Sequence, residues 1–139
     1  MSDISVVIPT YNRLWSLPQA VDSCRSESCD VEIIVVDDGS TDGTWEWLQS
    51  QSDLVAIRTE NWGKDWAVQR AMAAAGGNYV RFLDSDDWLA PQANRDQLDI
   101  ARQTGADIVV AGYTDHDDAT GARQVNEWVD SDDFIAQFT

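Results

Sequence analysis

The chain has 139 residues, 43% of them hydrophobic, which suits one domain able to bury a real core. Its 9 Lys+Arg against 25 Asp+Glu leave a formal net charge of −16, so it has neither the basic footprint of a nucleic-acid binder nor the polybasic patch of a membrane-surface protein. An anionic ligand would be repelled by this field unless a metal, an Arg or Lys, or helix N-termini compensate locally. No apolar run approaches the ~18 residues of a membrane span. Ile4 to Pro9 is too short for the apolar segment of a signal peptide. Cys24 and Cys29 form no CxxC or larger framework and read as reduced thiols of a cytosolic protein, Cys24 as a small hydrophobe on a helix face. The 7 Trp are a high count, and some are expected at a mouth or an interface.

In chain order, Ile4 to Ile8 is a near-continuous apolar run stopped by Pro9, the pattern of a buried parallel strand. The loop Pro9-Thr10-Tyr11-Asn12-Arg13 follows. Leu17, Ala20, Val21 and Cys24 then repeat at helical spacing, with Pro18 tolerable in a first turn. Val31 to Val36 is a second buried strand, ending in Asp37-Asp38-Gly39-Ser40-Thr41-Asp42. Gly39 suits a tight turn there, and Ser40, Thr41 or Asp42 could cap the helix that carries Trp45 and Leu48. Leu54 to Ile57 reads as a short third strand and Asn61-Trp62-Gly63-Lys64 as a loop. Ala67, Ala71, Met72 and Ala75 make a small-residue helix able to approach a sheet closely.

Tyr79 to Leu83 is rich in β-formers, follows the breaker Gly76-Gly77-Asn78, and delivers Asp84-Ser85-Asp86-Asp87 to its carboxyl end. Asp84 and Asp86, two apart, could meet a hard cation such as Mg²⁺ or Mn²⁺ with carboxylate oxygens. The plainer alternative is a solvated turn in which Asp87 caps the next helix. Pro91 through Gln103 is expected to be helical, with Gly105 beyond its end, and Ile108 to Ala111 to form another strand. Tyr113 to Glu127 reads as polar and irregular. Ser131-Asp132-Asp133 could start a short helix carrying Phe134, Ile135 and Phe138.

Alternating strands and helices predict an α/β fold, a mostly parallel sheet covered by helices on both faces. In such a sheet Thr10 to Arg13, Asp37 to Ser40 and Asp84 to Asp87 all fall on the carboxyl edge, where ligands bind. A tyrosine ring and Arg13 suit a base or a sugar. A lone Asp suits the N–H edge of a pyrimidine, and the acidic pair suits a metal on a pyrophosphate.

The segments Val6 to Arg13, Glu32 to Asp42, Asn61-Trp62-Gly63 with Ala67, and Gly77 to Asp87 stand in the order and spacing of the inverting family 2 glycosyltransferases, which this sequence resembles over about residues 4–112. The resemblance implies the Rossmann-like GT-A fold and a nucleotide-sugar donor, UDP-linked, with Mn²⁺ or Mg²⁺. It implies that Pro9, Thr10, Tyr11 and Arg13 line the nucleotide pocket and that Asp38 accepts from uracil. Asp84 and Ser85 would face the ribose and diphosphate, and Asp86 would hold the metal together with Asp84. Where many members carry Arg-Asn after the Ala, this chain has Val68 and Gln69, so Lys64 or Arg70 would supply the cation near the diphosphate.

Members of the family continue into an acceptor-binding half that carries the general base. Asp115, His116, Asp117, Asp118, Asp132 and Asp133 do not match that motif, so the base is expected beyond Thr139 and this chain is expected to be the donor half, cut before the acceptor half. The acceptor would be a saccharide, a lipid or a protein. The compartment would be the cytoplasm, with the intact protein peripheral to the inner face of the membrane. A receiver domain is disfavoured because the first strand ends in Pro-Thr-Tyr, and a Rossmann oxidoreductase because no GxGxxG follows it. A degenerate domain that binds a nucleotide or partner without turnover is the remaining rival.

Overall fold

Ile4–Thr10, strand β1, is buried at every position, and that burial is what the rest of the architecture is built on. The structure is a computed structural model that describes residues 1–127. The described residues fall into two compact units, divided along the chain between Leu98 and Asp99. In the first, β1 is followed by α1 (Leu17–Arg25), β2 (Val31–Asp37), α2 (Thr44–Gln49), β3 (Val55–Arg58), α3 (Lys64–Ala74) and β4 (Tyr79–Phe82). All four strands are parallel, in the order β3-β2-β1-β4. β1 and β2 pair over seven residues, Ile4 opposite Val31 through Thr10 opposite Asp37.

Because side chains alternate across a strand, β1 and β2 feed two separate cores. Ile4, Val6, Ile8, Ile33 and Val35 pack with Leu17, Ala20, Val21 and Cys24 of α1, Leu48 of α2, and Leu98 of α4 (Ala93–Thr104). Val7, Ile34 and Val36 pack with Ala67 and Ala71 of α3. Helices therefore cover both faces, which is why the two strands read as near-continuous apolar runs. The alanines of α3 let that helix lie close to the sheet.

Gly77 allows an equally close approach at the edge of β1. A Cβ there would stand 2.6 Å from the Ser5 backbone nitrogen and 2.8 Å from the Ile4 carbonyl carbon. Its N–H donates to Ser5 Oγ at 2.9 Å, and that hydroxyl donates to Glu32 at 2.5 Å.

Several boundaries differ from expectation. Gln92 has φ +64°, a left-handed conformation that a helix does not admit, so α4 starts at Ala93 rather than Pro91. Lys64, expected in a loop, is the first residue of α3. The position before α2 is Gly43, not Ser40, Thr41 or Asp42, although Asp42 Oδ1 still accepts from Thr44 N at 3.0 Å.

The second unit corrects the sequence reading. Ile108 to Ala111 forms no strand, and Ile108 is 81% exposed. Instead Tyr113–His116 (β5) pairs antiparallel with Arg123–Asn126 (β6), in a stretch expected to be irregular. A strand exists only if its amides find a ladder. The turn after β5 supplies one, because Asp117 Oδ1 accepts from Ala119 N at 2.9 Å and Gly121 takes φ +70°. The helix expected to start at Ser131 lies outside the described residues. Among the described residues no helix is long and apolar enough to cross a membrane.

Candidate functional site

The carboxyl ends of β1, β2 and β4, with the loop after β3, are held together by side chains bonded to backbone. Asn12 sits at φ +52°, and its N–H donates to Ser40 Oγ at 2.8 Å while its Oδ1 accepts from Thr41 N at 2.8 Å. Leu14 N donates to Asp42 Oδ2 at 3.1 Å, so the first and second loops are joined at three points. The buried Ser16 hydroxyl donates to the Ser85 carbonyl at 2.8 Å and joins the acidic loop to the start of α1. Sequence reasoning did not single out Ser16, gave Asn12 only as part of the first loop, and gave Ser40 only as a candidate helix cap in the second. Short polar residues after strands are the only signal they carry, and it does not name their partners.

Two adjacent carboxylates at the end of β2 have different surroundings. Asp37 is fully buried, and its Oδ1 accepts from Ser40 N at 3.0 Å. Its Oδ2 has Arg58 Nε at 3.8 Å and no hydrogen-bond partner. Asp38 is 5% exposed and bonds across to the loop after β3. Its Oδ1 accepts from Thr59 Oγ1 at 2.6 Å and Trp62 N at 2.8 Å, and its Oδ2 accepts from Gly63 N at 2.7 Å. Burial pushes the Asp38 carboxyl up, but the Thr59 hydroxyl and the Gly63, Trp62 and Asn61 amides outweigh it and hold the group below the ordinary carboxylate range. A carboxylate oxygen can accept more than one hydrogen bond, so Oδ2, which Gly63 N meets, can also serve a ligand donor. Gly39, at φ +86°, makes the turn that follows, and a Cβ on it would press on Asn61 N at 3.2 Å.

These loops enclose a cleft of about 320 Å³, lined by Pro9, Thr10, Tyr11, Arg13, Asp38, Lys64, Ala67, Asp84, Ser85 and Asp86. Every residue the sequence assigned to a ligand therefore lines one cavity, except Arg70; of the two cations offered for the diphosphate, Lys64 is the one at the cleft. Ala67 joins them; sequence reasoning had given it a packing role and a place in the motif with Asn61-Trp62-Gly63. Thr10 Oγ1 is buried without a hydrogen-bond partner. A hydroxyl in that state costs roughly 1–3 kcal/mol, which a polar ligand atom would relieve. Trp15, Trp62, Trp66 and Trp88 are all exposed and belong to segments adjoining the cleft residues. Trp62 and Trp66 meet edge to face at 5.8 Å, and the Arg13 guanidinium lies 5.7 Å over the Trp15 ring.

The acidic pair is matched by cations. Lys64 Nζ lies 2.6 Å from Asp84 Oδ1, and Arg13 Nη2 lies 3.8 Å from Asp86 Oδ2, all four side chains being about half exposed. Exposed pairs of this kind are worth at most about 1 kcal/mol each and exchange readily. Among the described residues no group of three or more His, Cys, Asp or Glu could hold a metal. Two accessible carboxylates nevertheless fit Mg²⁺ or Mn²⁺, which take one or two protein carboxylates and fill the remaining positions with phosphate oxygens and water.

Comparison with known proteins places this architecture in a family. The glycosyl transferase family 2 model matches residues 5–138. Glycosyltransferase GlyA of Streptococcus pneumoniae is 32% identical over 123 residues, which make up 85% of this chain and 18% of that protein. The crystal structure of S. aureus TarS 1–349 in complex with UDP-GlcNAc aligns with a TM-score of 0.67 and 27% identity, covering 73% of this chain and 31% of that one. The mannosyltransferase PcManGT from Pyrobaculum calidifontis, in complex with GDP-Man and Mn²⁺, aligns at 0.62 with 27% identity, over 80% of this chain and 34% of that one. The chain thus spans less than half the length of these relatives. Its sheet order, its cleft and these matches together make the chain a member of glycosyltransferase family 2, with the GT-A fold.

Proposed function

We propose that this chain binds the nucleotide of a nucleotide-sugar donor, UDP-linked, for an enzyme that transfers the sugar to a hydroxyl with inversion. The observation that carries the reading is that Pro9, Thr10, Tyr11, Arg13, Asp38, Lys64, Asp84, Ser85 and Asp86 line one cleft at the carboxyl edge of the sheet. The UDP-GlcNAc held by TarS and the GDP-Man and Mn²⁺ held by PcManGT support a nucleotide-sugar donor and a divalent cation.

In this proposal the Tyr11 ring covers one face of the base, and the Asp38 Oδ2 lone pair accepts its imide N–H. Thr10 Oγ1 and Ser85 meet polar atoms of the ribose and diphosphate. Arg13 and Lys64 supply positive charge against a chain of formal charge −16. Asp84 and Asp86 hold the Mn²⁺ or Mg²⁺. That cation would stabilise the charge that gathers on the departing nucleoside diphosphate, more in the transition state than in the ground state. Donor binding is the part assigned to this chain. The base that deprotonates the acceptor, and the acceptor site for a saccharide, lipid or protein, are proposed to lie beyond Thr139. The proposed compartment is the cytoplasm, with the intact protein at the inner face of the membrane.

One observation favours a second reading, a nucleotide-binding domain without turnover. Both acidic side chains already face a cation, so a nucleotide could be bound without metal. Calorimetric titration of UDP with and without Mn²⁺ separates the two. Mn²⁺-dependent binding that disappears in Asp86→Ala supports the transferase reading, and metal-indifferent binding supports the second. Failure of both UDP and GDP to bind would overturn both.

A further inference from the structure

We infer that Lys64 acts as an internal counter-ion that occupies the metal position until a nucleotide arrives, so that divalent cation and nucleoside diphosphate bind together rather than independently. The inference rests on the donor-binding reading above and deepens it. Lys64 is the only lysine in the chain. It opens α3, lines the cleft, and its ammonium lies 2.6 Å from Oδ1 of Asp84, one of the two carboxylates proposed to hold the cation. An ammonium and a divalent ion on one carboxylate repel each other at close range. Arg13 stands toward Asp86 in the same way but at 3.8 Å, with its guanidinium also over Trp15, so it is the weaker competitor.

A metal alone would therefore have to displace Lys64 and leave its ammonium beside a doubly charged ion. A metal arriving with a diphosphate would give Lys64 a new anionic partner, since the proposed diphosphate site is the cleft that Lys64 lines. The exposure of Lys64 and Asp84, 60% and 51%, leaves the ammonium free to swing between the two. The same residue thus opposes metal when no nucleotide is present and favours nucleotide once metal is bound. A lysine serving only to hold α3 in place would not change sign in this way.

The test titrates Mn²⁺ alone by electron paramagnetic resonance, and UDP at saturating Mg²⁺ by calorimetry, against the parent, Lys64→Gln and Arg25→Gln. Arg25 pairs with Asp22 and Asp53 and does not line the cleft, so its loss controls for net charge. Removing a unit charge about 4 Å from a divalent ion should tighten Mn²⁺ binding about tenfold in Lys64→Gln, and less than twofold in Arg25→Gln. The same Lys64→Gln change should weaken UDP about tenfold with Mg²⁺ present. Reductive ¹³C-methylation labels only Lys64 and the N-terminal amine, and the Lys64 signal should move with Mg²⁺ and UDP together more than with either alone. Unchanged Mn²⁺ affinity in Lys64→Gln, or equal tightening in Arg25→Gln, overturns the inference. If UDP fails to bind the parent, the donor reading falls, while the Mn²⁺ arm still decides whether Lys64 competes with metal.

Discussion

Replacing Asp38 by Asn would test whether this residue is first of all a fastener. The carboxylate accepts from Thr59 Oγ1 at 2.6 Å, Gly63 N at 2.7 Å and Trp62 N at 2.8 Å. An asparagine has one oxygen and a donor amide. With its oxygen toward Thr59 and Trp62, its NH₂ confronts the Gly63 N–H; flipped, it confronts the Trp62 N–H. Either way one backbone donor is stranded, at roughly 1–3 kcal/mol, and the surviving bonds lose their charge assistance. The expected loss is about 3 kcal/mol, or about 10 °C in melting temperature for a chain of this size. Urea denaturation followed by tryptophan fluorescence measures it.

The pH dependence adds a check on sign. The folded-state value of Asp38 lies below its unfolded value of 3.8, so its contribution is complete above that pH and is lost as pH falls through the lower folded value. The gap between parent and Asp38→Asn should therefore be constant near neutrality and narrow below about pH 4. A variant within about 0.5 kcal/mol of the parent at pH 7 would refute the reasoning. The loop Asn61 to Gly63 would then be held by something other than this carboxylate.

Gly77→Ala sets a Cβ 2.6 Å from Ser5 N and should cost about 3 kcal/mol, whereas Gly76→Ala, whose Cβ meets nothing nearer than Glu32 at 3.8 Å, should stay within about 0.5 kcal/mol; equal melting temperatures for the two would contradict the close approach to β1. Leu48→Ala leaves a cavity at a fully buried position and should cost about 2–5 kcal/mol by urea titration. Burial pushes the Cys24 thiol up to about 11 and shields it, so a thiol reagent at pH 8 should label Cys29 alone, slowly, in the folded chain and both cysteines after denaturation. Rapid labelling of two thiols in the folded chain would show that α1 does not cover Cys24.

The parallel sheet was readable because its signals are local and redundant. Ile4 to Ile8 and Val31 to Val36 are apolar but for Ser5 and Glu32, the near-continuous pattern of strands covered on both faces, and each ends at a polar turn. Period and punctuation are properties of neighbouring residues, so one sequence suffices to place them. That Tyr11, Asp38 and Asp86 share a rim followed from the topology alone, because parallel strands send all their carboxyl ends to one edge.

What one sequence could not carry is pairing between distant groups. Ile108 to Ala111 has a strand's composition but no ladder, while the polar β5 and β6 have a turn that brings them together. Asp37 and Asp38 are identical letters, yet one is buried against Ser40 and the other holds the Asn61 to Gly63 loop. The partners of Asp84 and Asp86, Lys64 and Arg13, come from 20 residues away in one case and from the first loop in the other. Hydropathy acts through near neighbours and can be read along the chain. Hydrogen bonds and ion pairs depend on separations of a few ångströms between atoms that only the folded backbone brings together.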